Sequence, residues 1–191
     1  MDLDAVALAG ERLEWAEDAL TQLRGAQDFP SSEKAWTALL LAASAFYSKL
    51  EQGSKAKGKS TAWFGRKKKQ RKDDPVLRYI HFARNSDEHG IERVTDRRNA
   101  GWLDVGFGEQ RKTHIQKVDP VTNLPTGPEI RAFLYGQHLV AVTAHDRRFG
   151  DSCDPPIGLI GDDLDGSHPP DIAAVVLEKL RDILEEAGEL V

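Results

Sequence analysis

A chain of 191 residues with one cysteine, Cys153, can form no internal disulfide, and nothing in it calls for an oxidising compartment. Long apolar runs are also missing. The longest stretch, Ala38 to Tyr47, covers ten residues, is interrupted by Ser44, and reaches half of what a bilayer-spanning helix needs. The N-terminal Met1-Asp2-Leu3-Asp4 has no basic block of the kind that opens a secretory signal. These absences lead us to expect a cytoplasmic protein without a membrane partner. There is no glycine-rich phosphate loop and no nucleophile-elbow glycine pattern, so two large enzyme classes drop out and no cofactor is expected. An excess of basic residues is absent as well. Lys and Arg number 26 against 31 Asp and Glu, a net charge of −5 that on average discourages nucleic acid.

The average hides three blocks. Residues 1–50 carry four basic and eight acidic side chains, residues 51–100 carry 14 and seven, and residues 101–191 carry eight and 16. Within the middle block Lys55, Lys57, Lys59, Arg66, Lys67, Lys68, Lys69, Arg71 and Lys72 follow one another with no acidic residue between them. Like charges at this density repel, which predicts an extended, solvated loop over residues 53–73. Clustered Lys and Arg also gain from releasing the counterions of phosphates, so the loop is a candidate RNA-binding arm. Trp63 and Phe64 inside it could stack on unpaired bases or pin the loop to the protein surface.

Apolar spacing predicts three N-terminal helices. Val6, Ala9, Leu13, Ala16, Leu20 and Leu23 mark the first, over residues 3–25. Trp36, Leu39, Leu40, Ala43, Phe46 and Leu50 mark the second, over about 32–52. Asp74-Pro75 starts the third with a capping carboxylate and a proline in its first turn, and Gly90 ends it. After Asn99 the pattern becomes strand-like at 102–107 and 113–118. Residues 130–135 and 138–144 read as a hairpin about Gly136-Gln137. Residues 150–170 read as irregular, and 172–187 as a closing amphipathic helix. The fold class is α+β, in three regions: a helical region 1–99, a small antiparallel sheet 100–150, and a loop with a C-terminal helix 151–191.

The third helix carries the chemistry. His81, Asn85 and His89 follow one another at i, i+4 on one stripe, with Arg84 beside it. Histidine moves protons near neutral pH, and the arginine fork fits a phosphate without ever losing its charge. Together they suit phosphodiester chemistry without a metal. Local physics also offers a plain structural account. Arg84 and Glu88 form an i, i+4 ion pair, and His89 sits where the helix dipole favours a cation.

Arg84-Asn85-x-x-x-His89, near the end of a helix that follows a helical pair and a basic segment, resembles the signature of the HEPN superfamily. The family pattern is an arginine, four to six residues, then a histidine. The resemblance covers residues 1–95, and the bare pattern is met again at Arg131 and His138, with six residues between them, without the helical context. It implies a helical bundle and a metal-independent endoribonuclease whose two copies of the motif line one cleft, hence a homodimer. It further implies that Arg84 and His89 are catalytic, that Asn85 orients His89 or contacts the phosphate, and that Ser44 or Ser48 on the second helix supports the site. His81 and Glu88 are neighbouring supports. By analogy with defence-type members, an antitoxin-like partner is implied too. Other members of the family are inactive RNA-binding or assembly domains, so a non-catalytic interaction protein on the same scaffold is the competing class.

Other constellations carry less. His114, His138 and His145 do not make a zinc site by spacing, since His138 and His145 would face opposite sides of a strand. Asp162, Asp163 and Asp165 lack the alternation and the distal glutamate of a calcium loop, and read as turn residues. Cys153 lies between Asp151 and Asp154, which disfavours its thiolate.

Overall fold

The computed structural model describes residues 1–55, 58–90, 93–99, 106–146, 150–157 and 167–191. Two compact units emerge, one of Met1–Asp96 with Leu139–Val191, the other of Arg97–His138. The chain is α+β, with a helical N-terminal half, short antiparallel strands and a closing helix.

In the first unit, α1 (Leu3–Gly25) is capped by Asp2, whose carboxylate accepts from the Ala5 amide at 3.0 Å. Asp28 caps α2 (Phe29–Ser54) in the same way, accepting from Ser31 N at 2.7 Å. α1 and α2 pack along their apolar stripes, and α5 (Pro169–Gly188) lies against both and against the helix Pro75–His89, α4. Trp36, Leu39, Phe46, Leu50, Ile172 and Leu180 are all at most 1% exposed and form the centre of the core. α4 (Pro75–His89) opens as its sequence predicts, with Asp74 Oδ1 accepting from the amides of Val76 and Leu77, both at 3.0 Å. Its end is Gly90, whose N–H donates to Ser86 O at 2.8 Å and where a side chain would collide with that carbonyl. From the middle of α4, Tyr79, wholly buried, donates its hydroxyl to Val142 O at 2.9 Å.

The basic segment is not the extended loop that its charge predicts. Gly58–Asp73 forms a helix, α3. Its buried residues, Ser60, Trp63, Phe64 and Lys67, recur at helical spacing and turn one face inward. The repulsion is answered by acids elsewhere in the chain. Lys67 Nζ lies 2.6 Å from Glu186 Oε1, Trp63 Nε1 donates to Glu186 Oε2 at 3.0 Å, and Lys68 pairs with Glu51 at 3.2 Å. Burial raises the Glu186 carboxyl, but the hydrogen bonds from Lys67 and Trp63 outweigh it and hold the group below its ordinary range. Glu186→Ala strips both partners at once and leaves a Lys67 side chain that is only 10% exposed. A loss of about 2 kcal/mol in urea unfolding is expected, against no more than about 0.5 kcal/mol for Glu185→Ala one residue away.

Strand pairing departs from the sequence reading. β3 (Ile130–Tyr135) pairs antiparallel with β2 (Gln110–Ile115), from Gln110 opposite Tyr135 to Ile115 opposite Ile130. Gly108 N–H donates to Gln137 O at 2.8 Å and Gly136 N–H to Glu109 O at 3.1 Å, so residues 136–137 extend that pairing instead of turning back on themselves. β4 (His138–Ala141) pairs with β1 (Thr95–Arg98), and all four of its residues are buried. The expected hairpin fails because both strands find better partners elsewhere in the sequence. β5 (Ala144–Asp146) pairs with β6 (Asp151–Cys153), a strand inside a stretch read as irregular. Of the strand expected at 102–107, residues 102–105 lie outside the described residues and 106–107 are not strand; the turn residues Asp162, Asp163 and Asp165 also lie outside the described residues.

Candidate active site

α4 presents its motif as the i, i+4 stripe anticipates, and Glu88 ties it together. Arg84 Nη2 lies 2.5 Å from Glu88 Oε2, and His89 Nε2 lies 3.8 Å from the same oxygen. One carboxylate oxygen therefore pairs with the guanidinium and lies within 4 Å of the imidazole. His89 is well exposed, with 60% of its side chain open to solvent at the end of the helix. Arg84 Nη1 donates to Asn85 Oδ1 at 3.1 Å, which turns the Asn85 amide nitrogen toward His81 Nε2 at 3.5 Å. In that orientation Nε2 is the acceptor and the imidazole proton sits on Nδ1.

His81 is half-buried, and its imidazole is pushed down to about 4, first by burial and then by the charges of Arg71 and Arg84. Asp146 opposes the shift and Lys72 adds to it. At neutral pH His81 is thus uncharged and lacks the second ring proton that an imidazolium would give as an acid. In an unfolded chain the same imidazole titrates near 6.5. Between the two values the unfolded state binds a proton that the folded state excludes. The stability this group contributes is therefore full above about pH 6.5 and is lost as pH falls toward 4. With part of the ring open to solvent, the loss amounts to roughly 1–2 kcal/mol. Melting curves at pH 7.5 and 4.5 check it: His81→Asn should lose less stability on acidification than the native protein.

Two cavities border the stripe. The smaller, about 20 Å³, is lined by Ser44 and Tyr47 of α2, Arg71 of α3, and His81 and Arg84 of α4, over an apolar floor that includes Leu40 and Val176. It has room for a water or one small group. The larger is a groove of about 450 Å³ lined by Arg71, Lys72, Arg78, His81, Phe82, Asn85, Asp146 and Asp151. That volume is in the range of small-molecule sites. Arg71 and His81 line both.

The structure thus brings Ser44, His81, Arg84 and Arg71 around one space, and ties Asn85 and Glu88 to Arg84. Ser48 is not among them. It is exposed and spends its hydroxyl on Ser44 O at 3.1 Å, the next turn of its own helix. Of the residues expected to bind RNA, Lys55, Lys59, Arg66, Lys68, Lys69 and Lys72 are exposed, and Lys57 lies outside the described residues. Trp63 and Phe64, 4% and 5% exposed, are core residues and cannot stack on bases, and Lys67 is buried against Glu186. Arg71 turns inward, its guanidinium carbon 4.7 Å from the Tyr47 ring centroid.

Tyr47, Arg78, Phe82, Asp146 and Asp151 were not read as site residues from the sequence. Tyr47 follows Ser44 by three positions and Arg78 precedes His81 by three, so helical spacing held that signal. Asp146 and Asp151 arrive on β5 and β6, with no local signal at all. Among the described residues no group of three or more His, Cys, Asp and Glu side chains is placed to hold a metal ion, and no helix is long and apolar enough to cross a membrane. Cys153 is half-buried, and its thiol is pushed up mainly by burial, with Asp154 adding and Arg78 opposing. Comparison with family models, curated proteins and solved structures finds no match for this chain.

Proposed function

We propose that this protein is a HEPN-like, metal-independent endoribonuclease that acts as a homodimer, with Arg84 and His89 at the cleavage site. The observation that supports this best is the shared Glu88 oxygen. An anion already rests where a guanidinium and an exposed imidazole meet, and a phosphate oxygen has the same needs. In the proposed reaction a neutral His89 takes the proton of a ribose 2′-hydroxyl, and the 2′-oxygen attacks the adjacent phosphorus. The bond from phosphorus to the 5′-oxygen breaks, and the departing oxygen takes a proton from the protonated His89 of the second copy. Arg84 stabilises the charge that builds on the phosphoryl oxygens. The products are a 2′,3′-cyclic phosphate and a 5′-hydroxyl. Asn85 holds Arg84 in place, and the outer face of α3 supplies cations for the flanking backbone.

A non-catalytic RNA-binding role is the second reading, favoured by the engagement of Arg84 with Glu88, which occupies the fork that a phosphate would need. Incubating the purified protein with mixed RNA, with and without EDTA, separates the two. Cleavage that resists EDTA and leaves cyclic phosphate ends supports the nuclease. RNA binding with no cleavage supports the second reading.

A further inference from the structure

Three buried polar atoms with no hydrogen-bond partner belong to side chains that line the small cavity between α2, α3 and α4. They are the Tyr47 hydroxyl, Arg71 Nε and Arg84 Nε. Tyr47 is only 6% exposed. Leaving such groups unpaired is costly, more so for a guanidinium than for a neutral donor. Their surroundings bear the mark of it: burial pushes the Tyr47 phenol up and the Arg71 guanidinium down from their ordinary values. The remaining nitrogens of Arg84 are directed elsewhere, Nη1 to Asn85 and Nη2 to Glu88, so Nε alone is left for this side. A water would satisfy one or two of these groups but would bring two protons of its own into a space already crowded with donors. An occupant that only accepts, and that carries negative charge, answers all three.

We propose that this cavity takes a terminal phosphoryl group, with the attached nucleoside in the neighbouring groove. Arg71 forms part of the wall of both spaces, so one guanidinium can serve the phosphoryl group at the mouth between them. The groove offers what a nucleoside uses. Phe82 provides an aromatic ring, with the Arg78 guanidinium carbon 5.5 Å from its centroid, and Lys72 adds a further cation. The same chemistry can come from a free mononucleotide or from the phosphorylated end of an RNA. It is separate from the cleavage step, which uses the exposed side of Arg84 and His89.

Calorimetric titration of the His89→Ala protein with inorganic phosphate, AMP and adenosine tests this. AMP and phosphate should bind, and adenosine should bind at least tenfold more weakly than AMP. Tyr47→Phe, which keeps the ring and the packing, and Arg71→Met should each weaken AMP by about tenfold. Phe82→Ala should weaken AMP and leave phosphate unchanged. A 5′-phosphorylated oligoribonucleotide bound more tightly than its 5′-hydroxyl twin assigns the site to RNA ends. Equal binding of the two beside tight AMP assigns it to free nucleotides, and either result supports the phosphoryl site. The proposal is overturned if AMP and adenosine bind alike, or if correctly folded Tyr47→Phe and Arg71→Met proteins bind AMP as the parent does. RNA cleavage by the native protein would stand regardless of that failure.

Discussion

On the proposed function, replacing His89 by alanine should lower RNA cleavage at least 10²-fold, the size expected when a positioned proton-transfer group is removed. Arg84→Ala should fall by roughly 10²–10³-fold, because on this reading a charge that matters most in the transition state is lost. The two defects differ in binding. His89 is exposed and its loss leaves RNA affinity and the melting temperature nearly unchanged, whereas Arg84→Ala also weakens binding of a non-cleavable RNA. Glu88→Gln moves the other way. The carboxylate competes with phosphate for the guanidinium, so its neutralisation tightens RNA by up to about fivefold, the range of a partly exposed ion pair. Single-turnover cleavage and filter binding of the same three variants read these effects apart. Full cleavage by His89→Ala would remove the nuclease reading, and weaker RNA binding by Glu88→Gln would make Glu88 a phosphate-site support instead of a competitor.

Helices whose signals are local read well from the chain. α1 begins at the Asp2 cap and ends at Gly25, and α4 begins at Asp74-Pro75, all of them short-range chemistry. α3 departs from the loop that its charges predict because the partners of those charges are remote in sequence. Glu186 stands 119 residues from Lys67, and only the packing of α5 brings it near. The helical phase of Ser60, Trp63, Phe64, Lys67 and Arg71 stands in the sequence beside the charge repulsion, and in the fold the periodicity wins. The hairpin about Gly136-Gln137 failed for a related reason. Two alternating segments around a glycine satisfy the local rule, yet β2 and β1 compete for them from a distance.

The site divides along the same line. One helix repeats His81, Asn85 and His89 every four residues, so their common stripe needs no tertiary knowledge. Glu88 as the link between Arg84 and His89 is likewise a matter of i, i+4 and i+1 spacing. The inward turn of Arg71 toward Tyr47 and Ser44 could not be read, because it depends on how α3 crosses α2. Arg71 reads as one more cation of a run and instead, like Lys67, faces the interior.

Once the run is a helix, its cations divide into an anchored face and an open face, and the open face carries the largest binding effect outside the motif. Lys59, Arg66 and Lys69 are exposed and share one side of α3, at spacings of seven and three residues. Lys68 is held by Glu51 and Lys67 by Glu186, so neither is as free to exchange its partner for a phosphate. If this face holds RNA, changing Lys59, Arg66 and Lys69 together to glutamine removes three phosphate contacts. For single-stranded RNA each contact contributes about 0.7 to the slope of log affinity against log salt, so the slope should flatten by about 2. At moderate salt the affinity drops by at least tenfold. The helix itself survives, since glutamine is nearly as good a helix former as lysine and none of the three side chains is buried. Lys67→Gln gives the opposite pattern, a lower melting temperature with an unchanged salt slope, because that ammonium is committed to Glu186. Fluorescence anisotropy with a labelled oligoribonucleotide across a salt series measures both. A triple variant whose slope matches the native protein would mean that the outer face of α3 is a solvated surface, and that RNA is held by α4 and the groove of Arg71, Lys72 and Arg78 alone.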